Sequence, residues 1–134
     1  MNRPRVLVID DENGPRVSVR FSLSHSCNVK EAEIPQDGLK FVREEQFDIV
    51  IVDLHMPGAH GFDVIKEIRR IDPHVACVIL TADATIETRL AARGIGIHSF
   101  LTKPFDLSTL RELVDNCTAY TRSARSQAPA KSPL

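Results

Sequence analysis

Residues Asp48 to Gly58, DIVIVDLHMPG, constrain the fold more than any other stretch of the chain. Ile49, Val50, Ile51 and Val52 are consecutive β-branched residues, which fit a central strand buried on both faces, as parallel strands are. The run ends abruptly in a carboxylate, Asp53, and Pro57-Gly58 then supplies a turn signal. Open α/β sheets place their chemistry at the carboxyl ends of their strands, so Asp53 stands where a functional group is expected. A lone aspartate there is more often a cap or a turn residue. The rest of the chain decides between the two.

Taken in order, the chain repeats that pattern. Val6-Leu7-Val8-Ile9 is a short apolar run that also ends in acid, at Asp10-Asp11-Glu12. Pro15 suits a first helical turn, and a helix is expected from Pro15 to about His25. Val17, Val19, Phe21 and Leu23 alternate like a strand, but two parallel strands need a crossover between them. A polar edge strand over 28–33 and a helix from Pro35 to Glu45 follow. After the Asp53 strand, Phe62, Ile65 and Ile68 mark a helix that stops at Asp72-Pro73. Val75 to Leu80 is the fourth strand, leading to Thr81-Ala82-Asp83, and Ile86 and Leu90 mark a short helix ended by Gly94. Ile97 to Leu101 is the fifth strand, leading to Thr102-Lys103-Pro104. Asp106 caps a last helix whose stripe is Leu107, Leu110, Leu113, Val114 and Cys117.

Beyond Tyr120 the apolar pattern stops. The expected division is a folded domain over 1–120 and a flexible tail or linker start over 121–134. Strands alternating with helices predict an α/β fold, a doubly wound, five-stranded parallel sheet of flavodoxin-like order 2-1-3-4-5 with five flanking helices. At 134 residues the chain buries roughly two-thirds of its unfolded surface, enough for one real core. The net charge of −1 gives no basic footprint for nucleic acid, and no apolar run is long enough to span a membrane. Cys27, Cys77 and Cys117 are odd in number and widely spaced, so they are expected to be reduced thiols of a cytoplasmic protein.

In that strand order the first and third strands adjoin, so Asp10, Asp11 and Asp53 converge. Two carboxylates ~4 Å apart repel by on the order of 4 kcal/mol at an effective dielectric of 20. A hard divalent cation with oxygen ligands offsets that, and magnesium suits a shallow, hydrated site. Lys103 adds a positive point charge and Thr81 a hydroxyl donor. Metal, ammonium and hydroxyl around one carboxylate are the parts that transfer a phosphoryl group onto it.

These motifs resemble the receiver domain of two-component response regulators over about Arg5 to Tyr120. The resemblance rests on Asp10-Asp11 after the first strand, Asp53 after the third, Met56-Pro57-Gly58 beyond it, Thr81 after the fourth and Lys103-Pro104 after the fifth. It implies that Asp53 is the phosphoacceptor, with Lys103 binding the phosphoryl group. It implies that Asp11 binds Mg2+ directly, Asp10 acts largely through water, and Asp53 and the His55 backbone carbonyl complete the protein's share. Thr81 and Phe100 match the switch pair, Phe100 standing where many members carry tyrosine. His55 and Asp83 match the positions that tune phosphoryl lifetime. A cis bond before Pro104 is implied as well. The implied donor is a sensor histidine kinase or phosphotransfer protein. An output domain or a second copy is implied to bind the face formed by the fourth helix, fifth strand and fifth helix.

Other readings fit less well. A dinucleotide- or flavin-binding domain needs a glycine-rich turn after the first strand, where this chain has three acids that repel a pyrophosphate. A haloacid-dehalogenase-like phosphatase spaces its two acids D-x-D on that strand, whereas here they are adjacent. A receiver-like module that only binds or dimerises has no need of the complete Asp, Thr and Lys set.

Overall fold

The computed structural model describes residues 2–128. The strands are β1 (Arg5–Ile9), β2 (Asn28–Ala32), β3 (Ile49–Asp53), β4 (His55–Met56), β5 (Ala59–His60), β6 (Ala76–Thr81) and β7 (Ser99–Thr102). The helices are α1 (Asn13–Leu23), α2 (Pro35–Glu44), α3 (Gly61–Ile71), α4 (Ile86–Ala91) and α5 (Leu107–Gln127). β2, β1, β3, β6 and β7 form one sheet in that order, all parallel. This is the predicted 2-1-3-4-5 arrangement. β4 and β5 form a separate antiparallel hairpin whose turn is the expected Pro57-Gly58, with Gly58 at φ +71°.

Side chains alternate along each strand, and here both faces are covered. Leu7, Ile9, Val50, Val52, Cys77 and Ile79 pack with Val42 of α2 and Phe62, Ile65 and Ile68 of α3. Val6, Val8, Ile49, Ile51, Ala76, Val78 and Leu80 pack with Val19 and Leu23 of α1 and Leu110, Val114 and Cys117 of α5. Each fully buried Val, Leu or Ile contributes roughly 1.5–3 kcal/mol of transfer free energy. The alternation in α1 therefore misleads about its shape: Val19 and Leu23, four apart, face the sheet, while Phe21 is 82% exposed. The three cysteines are buried and unpaired, and burial pushes the Cys77 and Cys117 thiols up to about 12. Among the described residues no helix is long and apolar enough to cross a membrane.

α1 and β7 shift by up to two residues from their expected bounds, and the carboxyl-terminal boundary is corrected further. The tail expected from Thr121 is instead helical as far as Gln127, and residues 129–134 lie outside the described residues. Polar contacts at the amino-terminal edge of the sheet hold this last stretch of α5. The buried Thr121 hydroxyl donates to the Asp48 carbonyl (2.6 Å) and accepts from Ala76 N–H (2.9 Å). Arg122 donates to the Asp48 carboxylate (3.1 Å), and Arg125 to the Phe47 carbonyl (2.7 Å) and the Asp72 carboxylate (2.8 Å). The apolar stripe ends at Cys117, so composition alone gives no sign of this grip.

Candidate functional site

Sheet register assembles the acids. Ile9 pairs with Val52, so Asp10 follows β1 level with Asp53 at the end of β3. Asp10 is fully buried and Asp53 is 5% exposed, while Asp11 and Glu12 face solvent. One carboxylate oxygen from each of these acids lies within 4.8 Å of the others. The sequence reading places Glu12 in the acid run but gives it no site role, although its position directly after Asp10-Asp11 is the available signal.

The loop carrying the acids is held from below. Glu12 N–H donates to Asp10 Oδ1 (2.9 Å). Arg16, a buried arginine on α1, donates to the Asp10 carbonyl (2.6 Å) and to Glu33 (3.1 Å), and pairs with Glu31 of the edge strand (3.4 Å). Its role is not legible within α1, because its acidic partners come from β2 and the residue just past it. On the other side, Gly61 opens α3 against the backbone of Asp53. A Cβ there would lie 2.6 Å from the Asp53 carbonyl oxygen and 2.9 Å from Leu54 Cα, so only glycine allows this approach.

Lys103 comes from just beyond β7, which adjoins β6 and not β3, so its side chain reaches across the end of β6. Its Nζ lies 3.4 Å from Asp53 Oδ1, 3.6 Å from Asp10 Oδ2 and 3.8 Å from Glu12 Oε1. Lys103 N–H also donates to the Thr81 carbonyl (2.8 Å), and the Lys103–Pro104 bond is cis. The buried Thr81 hydroxyl accepts from Asp83 N–H (3.2 Å). Thr81, Asp83, His55, Asp53, Glu12 and Lys103, with Ala82 and Thr88, line a cleft of about 270 Å³. The His55 ring is exposed and meets His60 edge-on at 5.6 Å across the β4–β5 hairpin. Phe100 lies on β7, half-buried beside the core.

Electrostatics mark the pocket as short of positive charge. Burial raises the Asp10 carboxyl above its ordinary value, opposed by the Glu12 N–H bond and reinforced by Asp53. Burial also raises Asp53, and Lys103 only partly offsets it. Burial pulls the Lys103 ammonium down, but Asp10 and Asp53 outweigh this and hold it above the usual lysine value. Asp10 Oδ2 is buried and accepts no hydrogen bond. A buried oxygen without a donor, in a cluster with more carboxylates than ammoniums, fits a hard divalent cation.

The known proteins agree with this architecture. The response regulator receiver domain profile matches residues 6–115. The chain belongs to that family. It is 28% identical to the response regulator protein PilR of Pseudomonas aeruginosa, over 100% of this chain and 30% of PilR. It is 31% identical to the chemotaxis protein CheY-3 of Vibrio cholerae, over 83% of this chain and 88% of CheY-3. The solved structure of Vibrio cholerae CheY4 superposes with a TM-score of 0.82 at 25% identity, covering 87% of this chain and 99% of CheY4. The chain thus spans under a third of the length of PilR and nearly all of the chemotaxis proteins. Receiver domains are signalling modules of two-component systems.

Proposed function

We propose that this receiver domain is a phosphoacceptor, which takes a phosphoryl group from a histidine kinase or phosphotransfer protein onto Asp53. The observation that carries the proposal is Asp53 itself, a carboxylate at the end of the central strand with an ammonium 3.4 Å from one oxygen and oxygens of Asp10, Asp11 and Glu12 within 4.8 Å. An Asp53 oxygen attacks phosphorus, the donor's bond to phosphorus breaks, and the leaving group departs with that electron pair. Lys103 neutralises charge on the phosphoryl oxygens, and the Thr81 hydroxyl is within the same cleft to donate to them. Asp10, Asp11, Asp53 and the His55 backbone carbonyl are the groups that would hold Mg2+, with Glu12 beside them. Mg2+ supplies charge compensation between the carboxylates and the incoming phosphoryl group. His55 and Asp83, at the rim, are proposed to govern access of hydrolytic water and so the lifetime of the phosphoryl group. Thr81 and Phe100 are proposed to carry the change to the α4, β7 and α5 face, where an output domain or second copy docks.

Intact mass spectrometry tests this. With magnesium and a small acyl- or amido-phosphate donor, the wild type is expected to gain one phosphoryl group, Asp53→Asn none, and Lys103→Ala far less at equal time. Equal labelling of wild type and Asp53→Asn removes Asp53 from the role.

A further inference from the structure

The switch aromatic carries a contact outside the phosphorylation site. The Arg89 guanidinium lies over the Phe100 ring, 4.8 Å from its centroid, and Arg89 Nε donates to the Ala84 carbonyl (3.3 Å). Among the described residues no carboxylate pairs with Arg89, so ring and carbonyl are its partners. The helix that bears it is unusually dependent on such contacts. α4 has six residues and buries none of them. A helix that short is not stable on its own. Its first turn is capped by Thr85, whose hydroxyl accepts from Thr88 N–H (3.1 Å), and the buried Ala92 follows its end. Between those points Arg89 spans from α4 to the aromatic of β7.

We propose that Arg89 is a latch, which holds Phe100 in its present half-buried position and fastens α4 over β7 until the phosphorylation site releases them. The inference rests on the assignment of Thr81 and Phe100 as the switch pair. Both ends of that pair are engaged here, Thr81 by Asp83 N–H and Phe100 by Arg89. If the Thr81 hydroxyl turns to the phosphoryl group and the Phe100 ring moves into the space behind it, the ring leaves the guanidinium. The cation–π attraction therefore belongs to the resting arrangement alone, and a contact made in only one of two states shifts their ratio. Arg89 sits between Ile86 and Leu90, which are exposed, so release changes the surface around two apolar side chains. A ligand covering that surface and a phosphoryl group at Asp53 then favour each other reciprocally.

The test compares amide NMR spectra of wild type and Arg89→Met, titrated with beryllofluoride and magnesium as the phosphoryl mimic. Methionine keeps much of the aliphatic stem and removes the charge. Without beryllofluoride, resonances of Thr81, Ala82 and Phe100 in Arg89→Met are expected to lie part of the way toward their beryllofluoride-bound positions. The half-saturating beryllofluoride concentration should fall about two- to five-fold, the size of an exposed cation–π contact. Arg89→Lys, which keeps charge but loses the planar stack, should fall between the two. Changes confined to α4 and off the line between the two wild-type states, with unchanged saturation, overturn the latch while leaving the switch pair standing. Failure of the wild type to respond at Thr81 and Phe100 overturns the switch pair and the latch together.

Discussion

Ending the chain after Tyr120 will cost it about 4 kcal/mol of folding stability. Three groups are lost from the clamp at the amino-terminal edge of the sheet. Without the Thr121 hydroxyl, the buried Ala76 N–H and Asp48 carbonyl lose their partners, and an unsatisfied buried group costs about 1–3 kcal/mol. Without Arg122 and Arg125, the Asp48 carboxylate keeps, among the described residues, only the Arg5 N–H (2.9 Å). Stranding a buried charge costs about 3–5 kcal/mol, and water readmitted to the opened edge keeps the total at the lower end. Against a net stability of about 5–15 kcal/mol this is a large fraction. Urea unfolding of the full and shortened chains measures it: the midpoint should fall with little change in slope. Thr121→Val should reproduce about 1–2 kcal/mol of the loss. A shortened chain within 1 kcal/mol of the full one removes the clamp from the account.

That clamp shows where local pattern stops carrying information. The sheet was legible because β-branched runs bounded by acids and turns are local signals, and parallel strands buried on both faces need continuous apolar runs. Strand order then placed Asp10 beside Asp53 without further information. Thr121, Arg122 and Arg125 act on Asp48 and Asp72 through contacts spanning 53 to 74 residues of chain. No periodicity within α5 encodes those, and a Ser-, Ala- and Arg-rich stretch looks the same in a solvated tail. Arg16 and Arg89 belong to the same class. Each is one arginine on a polar helix face until the fold brings it to a carbonyl, a carboxylate or a ring. In α1 the reverse occurred, with a local alternation that the crossover overrode. The acid, Thr and Lys motif is the most legible part because each residue stands at the end of a strand or within two residues past it.

Asp53→Asn will melt several degrees above the wild type in chelator at neutral pH, and the gap will close as pH falls. The Asp53 carboxyl titrates above its ordinary value, chiefly through burial and despite Lys103. A raised folded pKa means the native state holds the proton more tightly than the unfolded chain, so stability falls as pH rises between the two values. The destabilisation is complete above the folded pKa and disappears below the unfolded value near 4. Asparagine is free of it at every pH, and it also lessens the repulsion on Asp10, itself raised by burial and by Asp53. Lys103 works in the opposite direction. Its raised pKa contributes stability that persists through neutral pH, and the variant loses the Asp53 share of it. The net gain is therefore about 0.5–2 kcal/mol, the usual scale for relieving a functional site. Magnesium should act as a further discriminator. On the proposed metal role, magnesium bound to the folded wild type stabilises it by mass action, and the asparagine variant, without the Asp53 carboxylate, is stabilised less. Calorimetric scans at pH 4.5, 6 and 7.5, roughly spanning the carboxylate range, should show the gap widest at the highest pH and narrowed by magnesium there. A gap independent of both pH and magnesium would place its origin in packing rather than in the charge of Asp53.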